Sequence, residues 1–138
     1  MIRVDGLRKN YGDKEAIKGI SFAIPEKKIF VLLGPNEAGK TTTIRILAGL
    51  LRPTSGNASI GGHDVCSDGV AARALLAYIP DEPYLYERLT AREFLHFTAA
   101  LHSLPRMEAA KRVEQLSERL GFSGYMDELC GGYSHGMR

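Results

Sequence analysis

Gly34-Pro35-Asn36-Glu37-Ala38-Gly39-Lys40-Thr41 sets two glycines ahead of a lysine and a threonine, in the spacing G-x-x-x-x-G-K-[ST]. Such a stretch can grip a polyphosphate. Its glycines let successive backbone N–H groups turn inward as an anion-binding nest, and a helix starting at the lysine aims its positive dipole end at the same place. Lys40 then reaches the outer phosphates, and the Thr41 hydroxyl ligates the Mg²⁺ that they carry. The pattern needs a strand before it and a helix after it. A glycine turn capping an ordinary helix, with Lys40 solvated, would not require that coincidence.

The surrounding residues supply both elements. Ile2 to Val4, Ala16 to Ile24 and Ile29 to Leu33 alternate or are β-branched and are expected as strands, broken by Tyr11-Gly12-Asp13-Lys14 and by Pro25. From Lys40 to Leu51 the apolar positions Ile44, Leu47, Ala48 and Leu51 follow helical spacing. Residues 56–65 are expected to form a short strand with a turn, and Ala74 to Pro80 a second, buried strand. Thr90 and Glu93 make a capping-box pattern for a helix through about Leu104. Pro105 opens another, which Gly121 closes and on which Val113, Leu116 and Leu120 share a face.

With 138 residues the chain is at most one domain, and 44% hydrophobic and 25% charged residues place it among soluble globular proteins. Its 18 basic and 16 acidic residues are scattered, so the net charge of +2 marks no nucleic-acid or membrane surface. Cys66 and Cys130 stand far apart without a CxxC neighbour, which suits a reducing cytoplasm better than a disulfide or metal framework. No apolar run approaches the roughly 18 residues of a membrane span.

Beyond the loop, residues 7–65 resemble the ATP-binding domain of ABC transporters, including Leu47-Ala48-Gly49-Leu50-Leu51-Arg52-Pro53-Thr54-Ser55-Gly56. The resemblance implies an α/β fold: a P-loop NTPase core with an N-terminal antiparallel β part (1–84), a helical subdomain beginning near residue 85 (85–138), and the C-terminal part of the domain absent. It implies ATP and Mg²⁺ as ligands, with Tyr11 stacking on the adenine and Gly34, Pro35, Asn36, Glu37, Ala38, Gly39, Lys40, Thr41 and Thr42 around the phosphates. Asp81 stands where the family has a glutamine that touches Mg²⁺, and its shorter, charged side chain bears on coordination and coupling alike. Ser134, His135 and Gly136 match the signature that grips the nucleotide of a second subunit in a head-to-tail dimer, with His135 and Met137 replacing a glycine and a glutamine. A rival register reads residues 129–133 as the signature and puts Cys130 at the serine; Arg138 favours the first.

The resemblance also implies separate transmembrane permease subunits as partners, no nucleic acid, and a place in the cytoplasm on the inner face of the membrane. Bacterial exporter ATPases are the nearest in pattern. Hydrolysis in this family needs an aspartate and a glutamate ending an apolar strand, and a later histidine, all downstream of the signature. No stretch here has four apolar residues followed by two acids, so ATP binding is expected and catalysis by these residues alone is not. The missing strand would leave a sheet edge or core face open. A non-hydrolysing regulatory module and an ABC-type ATPase acting on nucleic acid or ribosome remain the alternatives. Glu37 stands where most relatives have glycine. Two unit charges 4 Å apart repel by about 1 kcal/mol in water and about 4 at an effective dielectric of 20. Its carboxylate is therefore expected to leave the loop for solvent, or for the partner subunit.

Overall fold

The computed structural model describes residues 1–137, in two compact units, one spanning Met1–Tyr78 and the other beginning at Ile79. In the first, β1 (Ile2–Tyr11) and β2 (Lys14–Ile24) form a hairpin around Gly12 and Asp13, with Gly12 at φ 56°. β3 (Ser55–Ile60) pairs with the other edge of β1, and β4 (His63–Asp64) follows through Gly61 and Gly62, both at positive φ as a primed hairpin turn requires. The order β2-β1-β3-β4 is antiparallel throughout. One face of the sheet buries Val4, Leu7, Ile17 and Ala58 against Ile46 of α1 (Lys40–Leu47), while Ala72 of α2 (Gly69–Ala74) joins the same core.

Three expectations change here. The helix after the loop stops at Leu47 and not Leu51, because Gly49 at φ 70° takes the left-handed position past its end. Its N–H donates to Ile46 O and that of Leu50 to Arg45 O, the paired closing bonds of a Schellman motif. Residues 29–33 form no strand: Ile29 is 96% exposed and Leu33 84%, while Leu32 is half-buried and Phe30 stacks on Phe22. Residues 74–80 are not a buried strand either, since Ala74 ends α2 and Ile79 is 87% exposed. A strand buried in a parallel sheet needs hydrogen-bonding neighbours and covering side chains, and among the described residues neither segment has them.

In the second unit the capping box is formed. Thr90 N–H donates to Glu93 Oε2 (2.9 Å) and Glu93 N–H to Thr90 Oγ1 (3.2 Å), opening α3 (Ala91–Leu101). The helix ends three residues before Leu104, where Ser103 takes φ 55° and closes a second Schellman motif. After Pro105, α4 (Arg106–Arg119) runs to a third, with Gly121 at φ 68°. Its inner stripe is Ala109, Val113 and Ser117; Leu116 (53% exposed) and Leu120 (74%) stand outside it. These smaller side chains let α4 lie close to its neighbours, whose shape decides which stripe wins. The buried Ser117 hydroxyl is satisfied by Glu114 O at 2.9 Å.

Short 3₁₀ turns at Ser123–Tyr125, Cys130–Gly132 and His135–Met137 follow, and Met126, Cys130 and Tyr133 pack with Ala91 and Val113. Arg92 ties this segment to both helices through a forked contact with Asp127 (2.8 and 3.3 Å) and an ion pair with Glu114. The hydrogen bonds from Arg92 lower the Asp127 carboxyl pKa, and those carboxylates raise that of the guanidinium.

Two outcomes are expected. Ser103→Gly relieves a left-handed residue while adding glycine's chain entropy, and should raise stability by roughly 0.5–1 kcal/mol in denaturant unfolding. A depressed folded-state pKa means that Asp127 stabilises above the ordinary aspartate value of about 3.9 and loses that contribution as pH falls through its lowered value. Asp127→Asn should therefore lower the urea midpoint at neutral pH, by an amount that shrinks as the pH falls through the lowered Asp127 value. A difference that persists in acid would trace the effect to packing instead.

Candidate functional site

The turn between Leu33 and α1 is built by backbone. Gly39, the residue before α1, has φ 80°, and a Cβ on it would lie 2.4 Å from Ala16 O of β2. Only glycine allows β2 and the loop to meet so closely, and the conformation would strain any other residue. Thr43, fully buried, ties the helix to the same point: its N–H and its Oγ1 both donate to Gly39 O, at 2.8 and 2.9 Å.

That geometry leaves the start of α1 open. The first N–H groups of any helix have no intrahelical acceptor, and here no side chain caps them and no acid stands in the first turn. They head a cavity of about 480 Å³ lined by residues 36–42 together with Tyr11, Lys14 and Ala16 of the hairpin. Lys40 donates to the carbonyl oxygens of Gly34 and Pro35, both at 2.6 Å, which holds its ammonium across the turn. An ammonium has three donors, so two carbonyls do not exhaust it.

Glu37 has φ 69°, one of three non-glycine residues in the left-handed region among the described residues. Such a backbone favours glycine, the residue that the family resemblance implies at this position. Its exposed carboxylate accepts from Lys14 Nζ at 2.8 Å, and this hydrogen bond lowers its pKa. The acid is thus exposed to solvent, as its reach suggested, and there it also meets a lysine of β2. Lys14 was not anticipated. Its one sequence signal is its place across the hairpin turn from Tyr11, with which it pairs in register. Tyr11 itself is half exposed and carries Lys9 Nζ 5.2 Å from its ring centroid.

The remaining expected residues lie in the second unit. Asp81, Ser134, His135 and Gly136 are all exposed. Cys130, of the rival register, is buried; its N–H donates to Leu89 O (2.9 Å) and that of Gly131 to Glu87 O (3.1 Å). Arg138, on which the first register partly leaned, lies outside the described residues. Another cavity of this unit, about 550 Å³, is lined by Leu85, Phe94, Phe122 and Met137 among others, and its apolar wall offers no charge to a phosphate.

Comparison with known proteins bears on the family and the fold. The family model described as ABC transporter matches residues 17–138. An uncharacterized ABC transporter ATP-binding protein of Bacillus subtilis is 38% identical over all of this chain and 45% of its own length. The linearmycin resistance ATP-binding protein of the same species is 36% identical over all of this chain and 44% of its own. The chain thus spans about half the length of these curated relatives. A solved structure described as the ATP-binding subunit of an ABC transporter superposes with a TM-score of 0.87 at 30% identity, over 99% of this chain and 57% of that one. CbiO1 of Clostridium perfringens, described as part of the transporter complex cbiONQ, does so with a TM-score of 0.80 at 26% identity. No helix among the described residues is long and apolar enough to cross a membrane. A turn shaped to present helix amides to an anion, in a chain matched over nearly its whole length by one family, identifies this protein as a member of the ABC transporter family, among its ATP-binding proteins.

Proposed function

We propose that this chain binds Mg-ATP in the cavity at the start of α1 and forms part of an energy-coupling subunit that drives export across a membrane. The observation that carries the reading is the uncapped N-terminus of α1, held open by Gly39 beside Lys40. A polyphosphate supplies the acceptors those amides lack, and Lys40 exchanges a loop carbonyl for a phosphate oxygen. Thr41 lines the same cavity and offers its hydroxyl to the bound Mg²⁺. The half-exposed Tyr11 ring at the mouth can stack on a base, a contact that favours no particular base.

Asp81 stands as a further candidate for Mg²⁺. Ser134, His135 and Gly136 form the edge offered to a second subunit's nucleotide; their exposure, set against the engaged amides of Cys130 and Gly131, supports that register. Closure of such a head-to-tail pair would move separate permease subunits from the cytoplasmic side. The export direction rests on relatives named for linearmycin resistance, daunorubicin resistance and SkfA peptide export. Hydrolysis needs a second Mg²⁺-holding carboxylate and a group to orient and deprotonate the attacking water. The pattern that supplies them in the family does not occur in these residues.

Calorimetric titration with Mg-ATP tests the proposal. Saturable binding is expected, weakened roughly ten- to a hundredfold in Lys40→Ala through loss of charge-assisted hydrogen bonds. Equal affinity in the two proteins would remove the assignment. Glu37→Gly should change affinity by less than about tenfold, since the carboxylate already points out of the turn, while raising the denaturant midpoint by relieving a left-handed glutamate.

A further inference from the structure

Glu37 puts a negative charge into the turn that must accept a polyphosphate, and it lines the same cavity as Lys40 and Thr41. The cavity has one other cationic side chain besides Lys40. Lys14, the first residue of β2, lines it too and holds the Glu37 carboxylate at 2.8 Å. Both partners are largely exposed, at 65% and 76%, so the pair contributes little to folding. Its position argues for another role. A solvated lysine has no need to sit at that point, whereas an unpaired carboxylate in a phosphate-binding turn repels every ligand the turn is shaped to hold.

We propose that Lys14 is a positioning residue of the nucleotide site, which neutralises Glu37 and draws its carboxylate out of the turn. The inference rests on the nucleotide-binding reading above. The geometry favours it: Glu37, at φ 69°, has its carboxylate held by Lys14 Nζ at 2.8 Å, and both residues line the cavity. The hairpin supplies Tyr11 and Lys14 to the cavity lining from residues that pair with each other across its turn. Lys14 thus replaces by charge what a glycine at position 37 would achieve by having no side chain. Glu37 and Lys14 form one unit, and changes at the two positions should not add.

The test is a double-mutant cycle in Mg-ATP titration of the full chain, at low and at moderate salt. Lys14→Ala should weaken binding about five- to tenfold at low salt, less at higher salt, and Lys14→Arg should bind like the parent. Lys14→Ala in the Glu37→Gly background should cost less than about twofold, because no carboxylate remains to be neutralised. In the nucleotide-free chain, Lys14→Ala should raise the Glu37 carboxyl pKa measured by NMR, which checks that the pair forms in solution, while the affinity cycle separates a positioning role from a merely structural one. Equal losses in both backgrounds, no loss in either, or an unmoved Glu37 pKa would each overturn the proposal while leaving ATP binding intact. A parent chain that does not bind Mg-ATP would overturn the nucleotide reading and this inference with it. Thermal unfolding of each variant separates a weakened site from a misfolded protein.

Discussion

The close approach of Ala16 O to Gly39 is the contact on which the site depends. A side chain at position 39 would collide with the β2 backbone, and the left-handed conformation there is what turns the chain from loop into helix. Because the contact is made by backbone, it couples the hairpin to the loop without any side-chain complementarity. Tyr11 and Lys14 reach the cavity only because β2 is held this way. Thr43 and Ile46 secure the helix itself, one by bonding Gly39 O and the other by burial in the sheet core. An anion site made of helix amides is only as rigid as the helix that bears them.

Charge in the turn follows from that geometry. Lys40 and Lys14 stand on either side of a single acid, one bonded to loop carbonyls and one to the carboxylate itself. The arrangement leaves the turn with a surplus of positive charge although a glutamate sits in the middle of it. The glutamate tolerates its position conformationally at a cost, since a left-handed backbone is where glycine is favoured.

The two units are finished in different ways. In the second, the box at Thr90, the left-handed residues Ser103 and Gly121 and the Arg92 network leave each helix with defined ends. The first pairs its strands in an antiparallel sheet but leaves Ile29 and Leu33 facing outward, as the start of the second leaves Ile79. Those residues have the character of buried strands, and the segments that hold them stay irregular because extended backbone is stabilised by neighbours and not by its own sequence.

What could be read from the sequence was local chemistry. The loop spacing, the hairpin break at Gly12, the capping box and the helix closed by Gly121 each depend on a few adjacent residues, and each is found where its residue types require it. Even the course of Glu37 followed from the length of a side chain. Only the tertiary structure decided whether the apolar runs at 29–33 and 74–80 became strands, which stripe of α4 turned inward, and that a lysine of the hairpin would meet the acid of the loop. Those outcomes depend on what lies opposite in space. Hydrophobic pattern states that a residue seeks cover, and the packing of distant segments determines whether cover is there.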